Sequence, residues 1–131
     1  MSAPTPNDVK KKRILVAEDD AAIATLLVKV LQQHYDVVHA ADGPSALARA
    51  AESPPPQLLL LDVMLPGADG YLVASRVRSI PHLKGVPIIF LTARTAPGDV
   101  IRGIQHGARH YIHKPFKIDD VLAKVRKTLG D

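Results

Sequence analysis

The sequence predicts an α/β protein built on a mostly parallel sheet with helices on both faces. Three observations carry that expectation. Strand-type and helix-type segments alternate five times along the 131 residues. The strand-type runs, such as Leu58-Leu59-Leu60-Leu61, are continuously apolar rather than alternating, which suits strands covered on both sides. Four of these runs end in polar residues that can carry chemistry. Parallel strands in series require right-handed helical crossovers, and such sheets bind ligands outside the carboxyl ends of their strands.

Ile14-Leu15-Val16-Ala17 is the first strand and stops at Glu18-Asp19-Asp20. Ile23, Leu26, Leu27, Val30 and Leu31 then recur at three- and four-residue spacing, one stripe of an amphipathic helix that Asp19 or Asp20 can cap. Tyr35 to Ala40 is the second strand, and Gly43-Pro44 opens a second helix, proline being tolerated in a first turn. Pro54-Pro55-Pro56 breaks the chain before the third strand, Leu58 to Leu61, which ends in Asp62. The turn signals Pro66-Gly67 and Asp69-Gly70 precede a third helix carrying Tyr71, Leu72, Ser75 and Val77. Val86 to Leu91 is the fourth strand, ending in Thr92. Residues 93–99, with Pro97 and Gly98, are expected to form a mobile loop; a weak fourth helix runs from Asp99 to Gln105, and Gly107 stops it. Tyr111-Ile112-His113 is a short fifth strand ending at Lys114-Pro115. The last helix begins near Asp119 and places Leu122, Val125 and Leu129 on one face.

Length and composition fit one domain, expected over residues 13–131 behind a flexible basic leader at 1–12. The absence of cysteine excludes disulfide scaffolds, thiolate metal sites and cysteine nucleophiles. Of the net charge of +4, residues 1–13 supply +3, so the rest carries only +1 and direct nucleic-acid binding is not expected. Apolar runs fall well short of the roughly 18 residues of a membrane span, and no apolar signal region opens the chain, so a cytoplasmic location without membrane contact is expected.

Glu18 and Asp19 follow the first strand, Asp62 the third, Thr92 the fourth and Lys114 the fifth. Asp19, Asp62, Thr92 and Lys114 each have an ordinary role open to them, respectively helix cap, turn stabiliser, cap and solvated lysine. Their convergence on one sheet edge favours chemistry. Three carboxylates in one crevice repel, and a hard divalent cation such as Mg²⁺ relieves that repulsion. A hydroxyl and an ammonium beside them suit an incoming phosphoryl group, with a carboxylate as covalent acceptor.

Ile14 to Asp20, Leu60-Leu61-Asp62-Val63-Met64-Leu65-Pro66-Gly67, Phe90-Leu91-Thr92-Ala93 and Tyr111-Ile112-His113-Lys114-Pro115-Phe116 together resemble the receiver domains of two-component response regulators, chemotaxis-type single-domain form. The resemblance covers about residues 13–129. It implies a flavodoxin-like (βα)5 fold, a three-layer sandwich with strand order 2-1-3-4-5. By the same resemblance Asp62 is the phosphoacceptor. Glu18, Asp19, Asp62 and the backbone carbonyl of Met64 hold Mg²⁺, for which Mn²⁺ can substitute. Thr92 and Lys114 engage the phosphoryl group, the Lys114-Pro115 peptide is cis, and Tyr111 is an aromatic switch residue. The implied partners are a histidine kinase or histidine phosphotransfer protein, met by the first helix and the loop around Pro115, and a downstream protein on the face of the fourth helix, fifth strand and fifth helix. Such a chain catalyses its own phosphorylation and dephosphorylation without being a conventional turnover enzyme.

Receivers that dimerise through that face carry acidic residues before the fifth strand, where this chain has Gly107-Ala108-Arg109-His110, so a monomer or weak dimer is expected. His106, His110 and His113 are close in sequence, but Gly107 interrupts helical spacing and they are expected to point apart. A flavin-binding relative would need a glycine- and hydroxyl-rich phosphate loop where Glu18-Asp19-Asp20 stands, and an aspartate-nucleophile phosphohydrolase would need a carboxylate at Met64. The alternative that remains is a receiver-fold binding module independent of phosphorylation.

Overall fold

A computed structural model describes residues 11–94 and 96–131. The leader expected over residues 1–12 lies outside the described residues as far as residue 10. Along the chain run β1 (Arg13–Ala17), α1 (Ala21–Leu31), β2 (Asp36–Ala40), α2 (Gly43–Ala50), β3 (Leu58–Leu61), α3 (Gly70–Ser79), a 3₁₀ turn (Pro81–Leu83), β4 (Ile88–Thr92), α4 (Pro97–Gln105), β5 (Ala108–His113) and α5 (Ile118–Leu129). The five strands form one parallel sheet in the order β2-β1-β3-β4-β5, the flavodoxin-like arrangement that the resemblance implies.

Two apolar layers explain why the strand runs do not alternate. Ile14, Val16, Leu58, Leu60, Ile89, Leu91 and Ile112 turn to one face and pack with Leu27 and Leu31 of α1 and Val121 and Val125 of α5. Leu15, Ala17, Leu59, Leu61, Ile88 and Phe90 turn to the other and pack with Ala46 and Ala50 of α2 and Val73, Ala74 and Val77 of α3. All four leucines of β3 are essentially inaccessible, each contributing about 1.5–3 kcal/mol through burial.

Element boundaries differ from the sequence expectations in instructive places. The first helix is capped by Asp20, whose carboxylate accepts the Ile23 amide at 3.0 Å, so of the two candidates Asp19 is left free of that task. Asp42 and Asp69 cap α2 and α3 in the same way. β4 starts at Ile88 rather than Val86, because the Val86 amide closes the preceding turn onto Leu83 and Pro87 has no amide to donate. α4 begins at Pro97, two residues before the expected start, so the second half of the expected loop is helix. It ends before Gly107, which takes the left-handed backbone (φ 78°). β5 begins at Ala108, three residues early: Arg109 and His110 lie on the sheet's outer edge, where polarity is tolerated and no hydrophobic signal marks the strand. Lys12 is not a free tail residue, since its ammonium pairs with Asp131 at 2.8 Å.

Candidate functional site

Sheet register assembles the site. Ala17 lies beside Leu61, so the residues that follow, Glu18 and Asp62, leave the sheet side by side, and the Asp62 amide bonds to the Ala17 carbonyl at 2.9 Å. Thr92 lies beside His113, and the next amide, of Lys114, bonds to the Thr92 carbonyl at 2.9 Å. The Lys114–Pro115 peptide is cis. Asp62 is held further by the Met64 amide, which donates to Oδ1 at 2.9 Å. Gly70 seals the loop from behind: a Cβ there would stand 2.4 Å from the Asp62 carbonyl oxygen, so only glycine lets α3 start this close.

The expected site residues are therefore neighbours. Carboxylate oxygens of Glu18, Asp19 and Asp62 all lie within 4.8 Å of one another. Glu18 and Asp62 are buried (1% and 5% exposed), whereas Asp19 opens to solvent. The Lys114 ammonium contacts both buried carboxylates, Asp62 Oδ2 at 2.8 Å and Glu18 Oε1 at 2.5 Å. Burial, opposed by the Lys114 ammonium and reinforced by the charge of Asp62, pushes the Glu18 carboxyl up to about 7. Burial pulls the Lys114 ammonium down, but its pairing with Asp62 and Glu18 outweighs burial and leaves it raised. Glu18 Oε1 makes no hydrogen bond among the described residues, its contact with Lys114 being an ion pair without hydrogen-bond geometry.

Thr92 is fully buried at the mouth of the site, and its hydroxyl accepts the Arg94 amide at 3.2 Å. It is not a cap for α4, whose N-cap position is Ala96 and which has no side-chain cap. Tyr111 is half-buried, and its hydroxyl is not simply wet: it donates to the Arg94 carbonyl at 2.5 Å and lies 3.2 Å from the Tyr71 hydroxyl. Burial and the neighbouring Tyr71 hydroxyl push the Tyr111 phenol up. Met64 is half exposed beside the site. Among the described residues the only cluster suited to a metal is Glu18–Asp19–Asp62; His106, His110 and His113 do not gather into one.

Sequence reasoning overlooked Tyr71, treated above only as a helix residue, and Gly103. Tyr71 is buried against Phe90 with its hydroxyl on the Asp99 carbonyl at 2.7 Å, and Gly103 faces the Tyr111 ring. The available signal was the polar, glycine-containing inner face of the fourth helix, which an apolar-stripe search passes over. No helix among the described residues is long and apolar enough to cross a membrane.

A family model described as the response regulator receiver domain matches residues 14–126. The chain is 43% identical over 123 residues to the DNA-binding response regulator MtrA of Mycobacterium tuberculosis, an alignment covering 93% of this chain and 52% of that protein. It is 42% identical over 117 residues to the response regulator PleD of Caulobacter vibrioides, covering 87% of this chain and 25% of that one. The chain thus spans about half or less of the length of these curated relatives. Among solved structures, a CheY-like response regulator receiver domain protein from Methanospirillum hungatei superposes with a TM-score of 0.84 at 29% identity, covering 92% of this chain and 95% of that one. The chemotaxis response regulator CheY4 of Vibrio cholerae gives the same TM-score and identity, covering 91% and 99%.

Proposed function

Because the chain belongs to the response regulator receiver domain family, we propose that it accepts a phosphoryl group on Asp62 from a histidine kinase or histidine phosphotransfer protein. The observation that carries this reading is the pairing of Lys114 with Asp62 inside a cluster of three carboxylates. Asp62 Oδ2 is the attacking oxygen, and the Lys114 ammonium, now 2.8 Å from it, balances charge on the transferred group. The Thr92 hydroxyl, one strand away, donates to a phosphoryl oxygen once transfer is complete.

The donor set fits a divalent cation. One lysine faces three carboxylates, a buried acceptor at Glu18 lacks a hydrogen bond, and Asp19 stands on the open side. Glu18, Asp19, Asp62 and the Met64 carbonyl would hold Mg²⁺ or Mn²⁺. When bound, the cation neutralises excess charge and orients phosphoryl oxygens.

The output face comprises α4, β5 and α5. Ile101 and Ile104 on α4 are 54% and 65% exposed, an apolar surface suited to a downstream protein. Arg109 and His110 stand where a dimerising receiver would carry acidic residues, which favours a monomer or weak dimer. A cytoplasmic site of action follows from the two-component reading.

Intact mass after incubation with acetyl phosphate, with and without Mg²⁺, tests the proposal on the wild type and on Asp62→Ala. The expected result is one added phosphoryl group, dependent on Mg²⁺, labile to hydroxylamine and absent from the variant. Labelling retained in Asp62→Ala reassigns the acceptor. No labelling of the wild type, under conditions that label another receiver, leaves the phosphorylation-independent binding module.

A further inference from the structure

The tyrosine that opens α3 lies under the start of α4. The Tyr71 ring is 1% exposed and enclosed by Phe90 edge-on at 5.2 Å, by His106 stacked at 5.4 Å and by the Arg102 guanidinium 4.5 Å from its centre. Its hydroxyl donates to the Asp99 carbonyl in the first turn of α4. The Tyr111 hydroxyl donates to the Arg94 carbonyl, and the two hydroxyls are 3.2 Å apart.

A carbonyl cannot donate, so each phenol gives its single proton to a carbonyl and none remains for the contact between the phenols. Two protons serve three contacts. The Tyr71–Tyr111 contact becomes a hydrogen bond only when a carbonyl link opens. If Tyr111 leaves Arg94, its proton is free for the Tyr71 oxygen, which still donates to Asp99, and the two bonds in series strengthen each other. Arg94 is also the residue whose amide is held by the Thr92 hydroxyl. A chain of contacts, hydrogen-bonded except between the two phenols, therefore runs from Thr92 through Arg94, Tyr111 and Tyr71 to the first turn of α4.

We infer that Tyr71 is a positioning residue that couples Tyr111 to helix α4 through its hydroxyl. The inference deepens the proposed function, on which the role of Thr92 and Tyr111 rests, by naming how a change at Tyr111 reaches the α4 surface. Tyr71 matters through one oxygen atom, since a phenylalanine would keep every ring contact.

Amide hydrogen exchange of residues 99–105 tests it in the wild type, Tyr71→Phe, Tyr111→Phe and the double variant, each with and without beryllofluoride plus Mg²⁺ as phosphoryl mimic. In the resting protein Tyr71→Phe should speed exchange in α4 about fivefold, the worth of one net hydrogen bond. With the mimic bound, where the Tyr111 proton is free for Tyr71, the double variant should show much less than the product of the two single effects, whereas in the resting protein the two effects should multiply. The mimic should alter α4 exchange in the wild type, and the alteration should shrink in Tyr71→Phe. Unchanged α4 exchange in Tyr71→Phe, or single effects that still multiply with the mimic bound, would overturn the inference, because ring packing alone predicts both. A wild type insensitive to the mimic would instead overturn the phosphorylation reading; resting exchange in Tyr71→Phe, which needs no phosphoryl group, then decides by itself whether the Tyr71 hydroxyl holds α4.

Discussion

Gly103→Ala should destabilise this protein although alanine is the better helix former, and removing Tyr111 should reverse the sign. Gly103 is in the interior of α4, where alanine is favoured over glycine by about 1 kcal/mol. A Cβ at this position would lie 2.7 Å from Cδ2 and 2.9 Å from Cε2 of Tyr111. That is about 1 Å inside ordinary carbon contact, so the ring or the helix must move. Overpacking of this kind costs about 1–3 kcal/mol, and an outward swing of the ring would break the bond from Tyr111 to the Arg94 carbonyl. A cost of about 2 kcal/mol against a gain of about 1 leaves a net loss of about 1 kcal/mol. With Tyr111→Ala in place the nearest remaining neighbour is Phe90 Cδ2 at 3.5 Å, an ordinary contact, and the helix-propensity gain of up to about 1 kcal/mol should emerge. Urea denaturation of the wild type, both single variants and the double variant reads all four stabilities. If Gly103→Ala shifts stability equally with and without Tyr111, the close approach between α4 and the ring is wrong.

The two neighbouring aspartates after β1 should separate by role: Asp20→Ala should cost about 1 kcal/mol in urea denaturation by removing the cap on the Ile23 amide, whereas Asp19→Ala should leave α1 intact. Burial, with the Asp131 carboxylate alongside, pushes the Tyr35 phenol up to about 12 from an ordinary 10. The folded chain thus holds this proton more tightly than the unfolded chain. The resulting stabilisation is fully present below pH 10 and lost as pH rises toward 12. Stability measured up to pH 12 should fall less steeply above pH 10 in Tyr35→Phe; an unchanged slope would remove Tyr35 from the alkaline transition.

What the sequence disclosed and what it hid follow from the same physics. β3 was legible to the residue, because four leucines between a proline run and Asp62 can only be a strand covered on both faces. Glu18, Asp62, Thr92 and Lys114 were legible as a set because parallel strands deliver their carboxyl ends to one edge. The start of β5 was not, since an edge strand has one flank free of pairing and can carry Arg109 and His110 without signalling burial. α4 misled for a related reason: its isoleucines at 101 and 104 face outward while Arg102, Gly103 and His106 meet Tyr71 and Tyr111. A helix whose inner face is polar breaks the rule by which apolar stripes are assigned to the core, and such breaks concentrate where function is served.

The two unusual regions of the molecule share a form. At the mouth of the sheet one ammonium pairs with two of three clustered carboxylates, and burial pushes the Glu18 carboxyl up to about 7 against the pull of that ammonium. Beneath α4 two phenolic protons serve three contacts. A fold selected for stability alone would fill both places with apolar side chains, because a buried ion pair gains little over a hydrophobic substitute. Each region is short of one partner and can be completed in more than one way, the first by a cation and a phosphoryl group, the second by a shift of Tyr111. Thr92 and Arg94 stand between them, joined by a single hydrogen bond. Whatever draws the Thr92 hydroxyl toward Asp62 weakens its hold on the Arg94 amide, and the Arg94 carbonyl is the acceptor that keeps Tyr111 where it is. Under the proposed function, completing the first region would loosen the second, and a charge placed on Asp62 would be felt on the outer surface of α4.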